Sequence, residues 1–194
     1  MEKYEKEPHP LPPFFPAAAR ALMLGSFPPK RERWKMDFFY PNLQNDMWRI
    51  FGLVFFGDAD RFLTADRRSF REEAIRAFLT AKGIALWDTA MEVRRLKDNA
   101  SDRFLEVLKP VDLADVLEQL PRCEALILTG QKAMDTLLTL VEADEPATGR
   151  FTETAWCGRL LRIYRMPSSS RAYPKPLAEK AAVYERMFRE LGML

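Results

Sequence analysis

A chain of 194 residues is long enough for one well-buried domain and short for two. Its 47% hydrophobic content argues against disorder, and 30 basic against 28 acidic residues leave a net charge of +2. That balance excludes an acidic tail and a strongly cationic nucleic-acid arm, and leaves the distribution of charge as the informative quantity. Two cysteines, Cys123 and Cys157, far apart and in no C-x-x-C, cannot alone build a four-thiolate cluster or zinc site.

In chain order, the first segment holds the sole histidine, in His9-Pro-Leu-Pro-Pro-Phe-Phe-Pro16. A buried catalytic histidine is therefore unavailable unless this segment folds back over a site, which weakens Ser–His, Cys–His and histidine–metal schemes. The start of the chain is charged rather than apolar and no run approaches 18 apolar residues, so a soluble, cytoplasmic protein without a membrane span is expected.

Four apolar runs follow: Ala21–Leu24, Ile84–Trp87, Ala125–Leu128 and Leu160–Tyr164. Each ends in a Gly-, Asp-, Pro- or Ser-rich motif: Gly25-Ser26, Asp88-Thr89, Thr129-Gly130 and Pro167-Ser-Ser-Ser170. Runs apolar throughout and separated by helical spacing predict a parallel sheet covered on both faces. The spacing predicts helices over 46–55, 69–82, 113–119, 131–141 and 177–191. Ser69 with Glu72 three residues on reads as a capping box. In such a sheet, ligands bind beyond the carboxyl ends of the strands, so the four motifs are expected to converge on one edge.

The first motif, Gly25-Ser26-Phe27-Pro28-Pro29, turns sharply after its strand, and the loop beyond carries Phe38, Phe39, Tyr40 and the amides of Asn42, Gln44 and Asn45. Flat aromatic faces with amide donors and acceptors suit a planar, polar heterocycle such as a nucleobase; on periodicity alone the same residues read as a strand, a turn and a core loop. Asn45 also suits the N-cap of the helix starting near Asp46. Asp88 is placed to act as a base or to orient water, and equally as a cap or loop anchor. Neither G-x-G-x-x-G nor G-x-x-x-x-G-K-[ST] occurs, which ranks a nucleotide-dependent enzyme last.

Four motifs, in order, resemble the uracil-DNA glycosylase superfamily, particularly its hypoxanthine-DNA glycosylase-like branch: Gly25-Ser-Phe-Pro28, Gln44-Asn-Asp-Met-Trp-Arg49, Leu86-Trp-Asp88 and Pro167-Ser-Ser-Ser-Arg-Ala-Tyr173. They span residues 24 to 173. Departures from the branch are Gln44 for Arg, Asp46 for His, and Arg171 and Tyr173 for Pro and Asn, and no Asn precedes Gly130. The resemblance implies a single domain over residues 1–194, a three-layer sandwich around a central four-stranded parallel sheet. It implies a monofunctional base-excision repair glycosylase that flips a deaminated base, hypoxanthine or uracil, and hydrolyses its N-glycosidic bond with water. It places the catalytic Asn at Asn45, with Asp88 as the second catalytic candidate. Gly25, Ser26, Phe27, Pro28, Phe39 and Tyr40 would hold the base, with Phe27 the first choice for stacking. Lys132, Ser168, Ser169, Ser170, Arg171 and Tyr173 would meet the DNA, Arg171 or Tyr173 filling the gap left by the flipped base. No metal or cofactor is implied, the partner is DNA, and the protein is expected to be monomeric. The absence of a lysine from the matched catalytic motif argues against a Schiff-base step. The competing expectation is a non-catalytic nucleic-acid or nucleotide-binding protein on the same fold.

Overall fold

The computed structural model describes residues 4–97 and 101–194. The apolar runs form strands β2 (Ala21–Gly25), β3 (Ile84–Asp88) and β6 (Ala125–Thr129), each buried at every position, as a sheet covered on both faces requires. Strand β8 (Arg159–Met166) is the fourth, and β3-β2-β6-β8 are mutually parallel neighbours. The expectation of a four-stranded parallel sheet needs one correction. A fifth strand, β7 (Arg150–Trp156), pairs antiparallel with β8 at the edge and makes the sheet mixed. Its Thr and Glu positions alternate in burial, so it lacks the continuous apolar signal of its neighbours.

A second, antiparallel sheet was also not anticipated. It comprises β1 (Lys6–Pro8), β4 (Ala90–Arg95) and β5 (Leu105–Pro110), in the order β1-β4-β5. Strand β4 follows β3 after the single residue Thr89, whose N–H donates to the Gly25 carbonyl at 2.8 Å, so the small sheet hangs directly off the end of the large one.

Helix α1 (Met47–Phe56) and helix α2 (Glu72–Lys82) precede β3; α3 (Leu113–Gln119) and α4 (Gln131–Leu137) flank β6; α5 (Leu177–Glu190) closes the chain. Helices α1, α2 and α5 share an aromatic seam, with Phe55 4.8 Å from Phe78 and 4.9 Å from Phe188 between ring centroids. Phe51 and Phe188 are fully buried in it, each worth about 1.5–3 kcal/mol in transfer from water. The capping box is not formed: α2 starts at Glu72 with Arg71 as N-cap, the Ser69 hydroxyl donates instead to the Lys35 carbonyl, and Glu72 pairs with Arg76 at 2.9 Å. Helix α4 ends at Leu137 rather than Val141.

Strand register carries the site. Gly25 pairs with Asp88, Leu24 with Leu128, and Thr129 with Met166, so all four strand-end motifs lie level on one edge, as their positions predicted.

Candidate active site

That edge opens into a cleft of about 670 Å³. Of the residues the sequence nominated, Gly25–Pro28, Phe39, Tyr40, Asn45, Asp88, Lys132, Ser168–Arg171 and Tyr173 line it, and Phe38 does not. Gly25 is required by contact: a Cβ there would lie 2.5 Å from Asp88 Oδ1 and 3.4 Å from the Tyr40 hydroxyl. Gly130 is required by conformation, with φ +113 at the turn into α4.

The loop aromatics divide. Phe38 is core, 1% exposed and stacked on Trp48. Tyr40 has φ 52, an unusual value for a bulky residue, and its hydroxyl meets Thr129 Oγ1 at 2.9 Å on the cleft floor. The Thr129 hydroxyl also lies 3.4 Å from the Leu24 carbonyl, and either hydroxyl of the Tyr40–Thr129 pair can be the donor. Burial of this phenol, reinforced by the Asp88 charge and opposed by the Thr129 contact, holds its pKa well above the ordinary value, so it stays neutral. Phe27 stands at the cleft wall, partly exposed.

Asn45 caps α1. Its Oδ1 accepts the Met47 N–H at 2.9 Å, although the residue directly before the helix is Asp46. The loop is clasped to the last motif through the Arg171 N–H on the Gln44 carbonyl at 3.0 Å and the Asp46 N–H on the Ser169 carbonyl at 2.8 Å. Asp46, 6% exposed, binds the clasp from inside: Oδ1 accepts from Arg171 Nε at 3.0 Å and Oδ2 from Lys180 Nζ at 3.4 Å. Lys180 in turn donates to the Ser170 carbonyl at 2.8 Å. Sequence reasoning saw in Asp46 only a carboxylate near a helix start, and missed Lys180. Partners 134 positions apart leave no local signal. The Ser168 and Ser170 hydroxyls accept the N–H groups of Ser170 and Ala172, both at 3.2 Å, and so hold the turn.

The proline-rich start does fold back. Strand β1 pairs with β4, the His9 N–H donates to the Met91 carbonyl at 2.8 Å, and the ring packs behind the cleft lining against Asp88, Phe27 and Phe39. His9 Nε2 lies 2.8 Å from Asp88 Oδ2, the two side chains being 4% and 8% exposed. Trp87, Phe27 and Phe39 surround the imidazole at 4.3, 5.3 and 6.4 Å between centroids. A second carboxylate, Asp102, also unforeseen, accepts from the Ser26 hydroxyl at 2.9 Å. Crowding around its carboxyl and the Asp88 charge push its pKa up, while Ser26, Lys132 and Arg95 pull it down. Among the described residues, no three His, Cys, Asp or Glu side chains gather in a way that could hold a metal ion.

No protein-family model matches this chain, and no curated protein does. Its fold is shared with the solution NMR structure of a "putative Uracil DNA glycosylase" from Methanosarcina acetivorans. The TM-score is 0.59 at 21% identity, over 91% of this chain and 96% of the other. The class so defined is one of fold: a mixed α/β sheet flanked by helices, with its cleft at the carboxyl ends of the parallel strands.

Proposed function

We propose that this protein is a monofunctional DNA glycosylase of the uracil-DNA glycosylase superfamily, of the hypoxanthine-DNA glycosylase-like branch, acting as one domain and a monomer in the cytoplasm. It flips a deaminated base into the cleft and hydrolyses the N-glycosidic bond. The observation that carries this reading is the meeting of an amide, Asn45, and a buried carboxylate, Asp88, in one cleft beside Phe27. The likeness in fold to the archaeal structure supports it.

The chemistry follows from the groups present. As the C1′–N bond breaks, its electrons pass to the base and the sugar becomes oxocarbenium-like. Because Asn45 Oδ1 accepts the Met47 N–H, the carbonyl end is oriented to the helix and Nδ2 is the end free to donate to the departing base. Asp88 Oδ1 orients water and takes its proton as the oxygen bonds to C1′. Phe27 stacks on the base, at about 1–3 kcal/mol per base, which offsets part of the unstacking cost. A cleft of about 670 Å³ has room for a base and its sugar. Lys132 and Arg171 face the phosphates, and Tyr173 is the candidate to fill the vacated stack.

The second reading, a non-catalytic binder on the same fold, draws on the capping bond that already occupies Asn45. A panel of duplexes containing uracil, hypoxanthine or xanthine separates the two. Release of free base in single turnover is expected from one or more, and binding without release from all of them would leave the second reading.

A further inference from the structure

The sole histidine of the chain occupies a position that packing alone does not explain. Pro8 and Pro10 on either side of it are exposed, yet the His9 side chain between them is 4% exposed and enclosed by Phe27, Phe39 and Trp87. In such an aromatic enclosure a phenylalanine or leucine would pack without a polar group to satisfy. The imidazole is instead satisfied at both nitrogens: Nε2 meets Asp88 Oδ2 at 2.8 Å, and Nδ1 faces the Leu11 carbonyl at 3.0 Å and the Leu11 N–H at 3.3 Å.

We propose that His9 is a positioning residue, which the N-terminal segment lays behind the cleft lining to hold the Asp88 carboxylate in the orientation that directs water. The proposal rests on the glycosylase reading above and adds a residue to its machinery. Leu11 is what makes the arrangement robust. A neutral ring carrying its proton on Nε2 accepts the Leu11 N–H at Nδ1, and a protonated ring donates there to the Leu11 carbonyl. In both states the Nε2 proton points at Asp88 Oδ2. Oδ2 is thereby engaged, and rotation of the carboxylate is stopped with Oδ1 against the Gly25 backbone, where a Cβ would lie only 2.5 Å away. Oδ1 is then the oxygen left for water. The His9 N–H bond to the Met91 carbonyl and the pairing of β1 with β4 fix the ring from behind, so the small antiparallel sheet is the scaffold of this contact.

The test is single-turnover base release by the full-length chain carrying His9→Ala or His9→Gln, with and without added imidazole, on the duplex that the wild-type protein cleaves fastest. Duplex affinity and thermal midpoint are measured on the same preparations. His9→Ala is expected to lower the release rate about 100-fold, the scale of a small misplacement of a reacting group, with duplex affinity unchanged. Imidazole is expected to restore part of that rate. Glutamine places an amide N–H where Nε2 lies, so His9→Gln is expected to retain most of the rate, and it answers the question even if His9→Ala does not fold. A wild-type rate per folded molecule in His9→Ala overturns the proposal, as does a His9→Gln protein that is folded but no better than His9→Ala and is not rescued. If the wild-type chain releases no base from any damaged duplex, the glycosylase reading fails and takes this role of His9 with it.

Discussion

Lys180 on the last helix and Asp46 at the start of the first are joined inside the protein, with Nζ 3.4 Å from Oδ2 and side chains 1% and 8% exposed. The same ammonium donates to the Ser170 carbonyl, and the same carboxylate accepts from Arg171, so one ion pair holds the first cleft loop against the last.

Removing the acid therefore does more than delete a surface charge. Asp46→Ala leaves Lys180 buried without its counter-charge, at an expected cost of about 3–5 kcal/mol, read as a lower denaturant midpoint. A loss below about 1 kcal/mol, the scale of an exposed pair, would show that the ammonium is solvated by another route.

Gly25 tests the close approach of the carboxylate to the first turn. Gly25→Ala puts a methyl group 2.5 Å from where Asp88 Oδ1 stands, and the acid must move. Base release is expected to fall about 100-fold, with overpacking costing about 1–3 kcal/mol in stability. Full activity would show that Asp88 tolerates displacement and is not the water-directing group.

Phosphate contacts are read from salt dependence. Lys132→Ala is expected to weaken duplex binding across sequences and reduce the slope of log K against log salt by about 0.9. Arg171→Ala is expected to do the same and also to lower stability, because its Nε pairs with Asp46 at 3.0 Å. Unchanged slopes in both proteins would remove these residues from the interface.

The two cysteines differ in reactivity. Burial pushes the Cys123 thiol up to about 11, whereas Cys157 is exposed in the turn between β7 and β8. A thiol reagent at about pH 8 is expected to titrate one cysteine in the folded protein and both in denaturant. Because the folded pKa is raised, the stability linked to Cys123 is complete below the unfolded value of about 8.5 and is lost as pH rises toward 11. Two fast-reacting thiols in the native protein would contradict the packing around Cys123.

What the sequence revealed follows the range over which its signals act. Strands such as Leu22-Met23-Leu24 are buried on both faces and announce themselves as unbroken apolar runs, and their ends converge by sheet geometry alone. Strand β7 at the edge has no buried position, and β4 in the small sheet carries charged positions between its two buried ones, so their short runs blend into the loops. Ser69 and Glu72 matched a capping pattern locally, but a tertiary contact to Lys35 took the first side chain and an i,i+4 pair with Arg76 inside the helix took the second. His9 beside Asp88, 79 positions away, and Lys180 beside Asp46 depend on the folded chain returning on itself, which no window of sequence contains. The motifs that resemble a known superfamily located the cleft. The ion pairs and hydrogen bonds that organise it became visible only in three dimensions.

The most direct test of the account is single-turnover base release from a duplex containing hypoxanthine or uracil, by the wild-type chain and by Asn45→Ala, alongside the thermal midpoint of each. The wild-type chain is expected to free the base. Asn45→Ala is expected to be slower by about 100-fold or more, as for loss of one preorganised donor, with duplex affinity little changed. Loss of the Met47 cap is expected to lower stability by about 1 kcal/mol in the same protein. A lowered midpoint with a normal rate per folded molecule would leave Asn45 as a helix cap only and contradict the central claim.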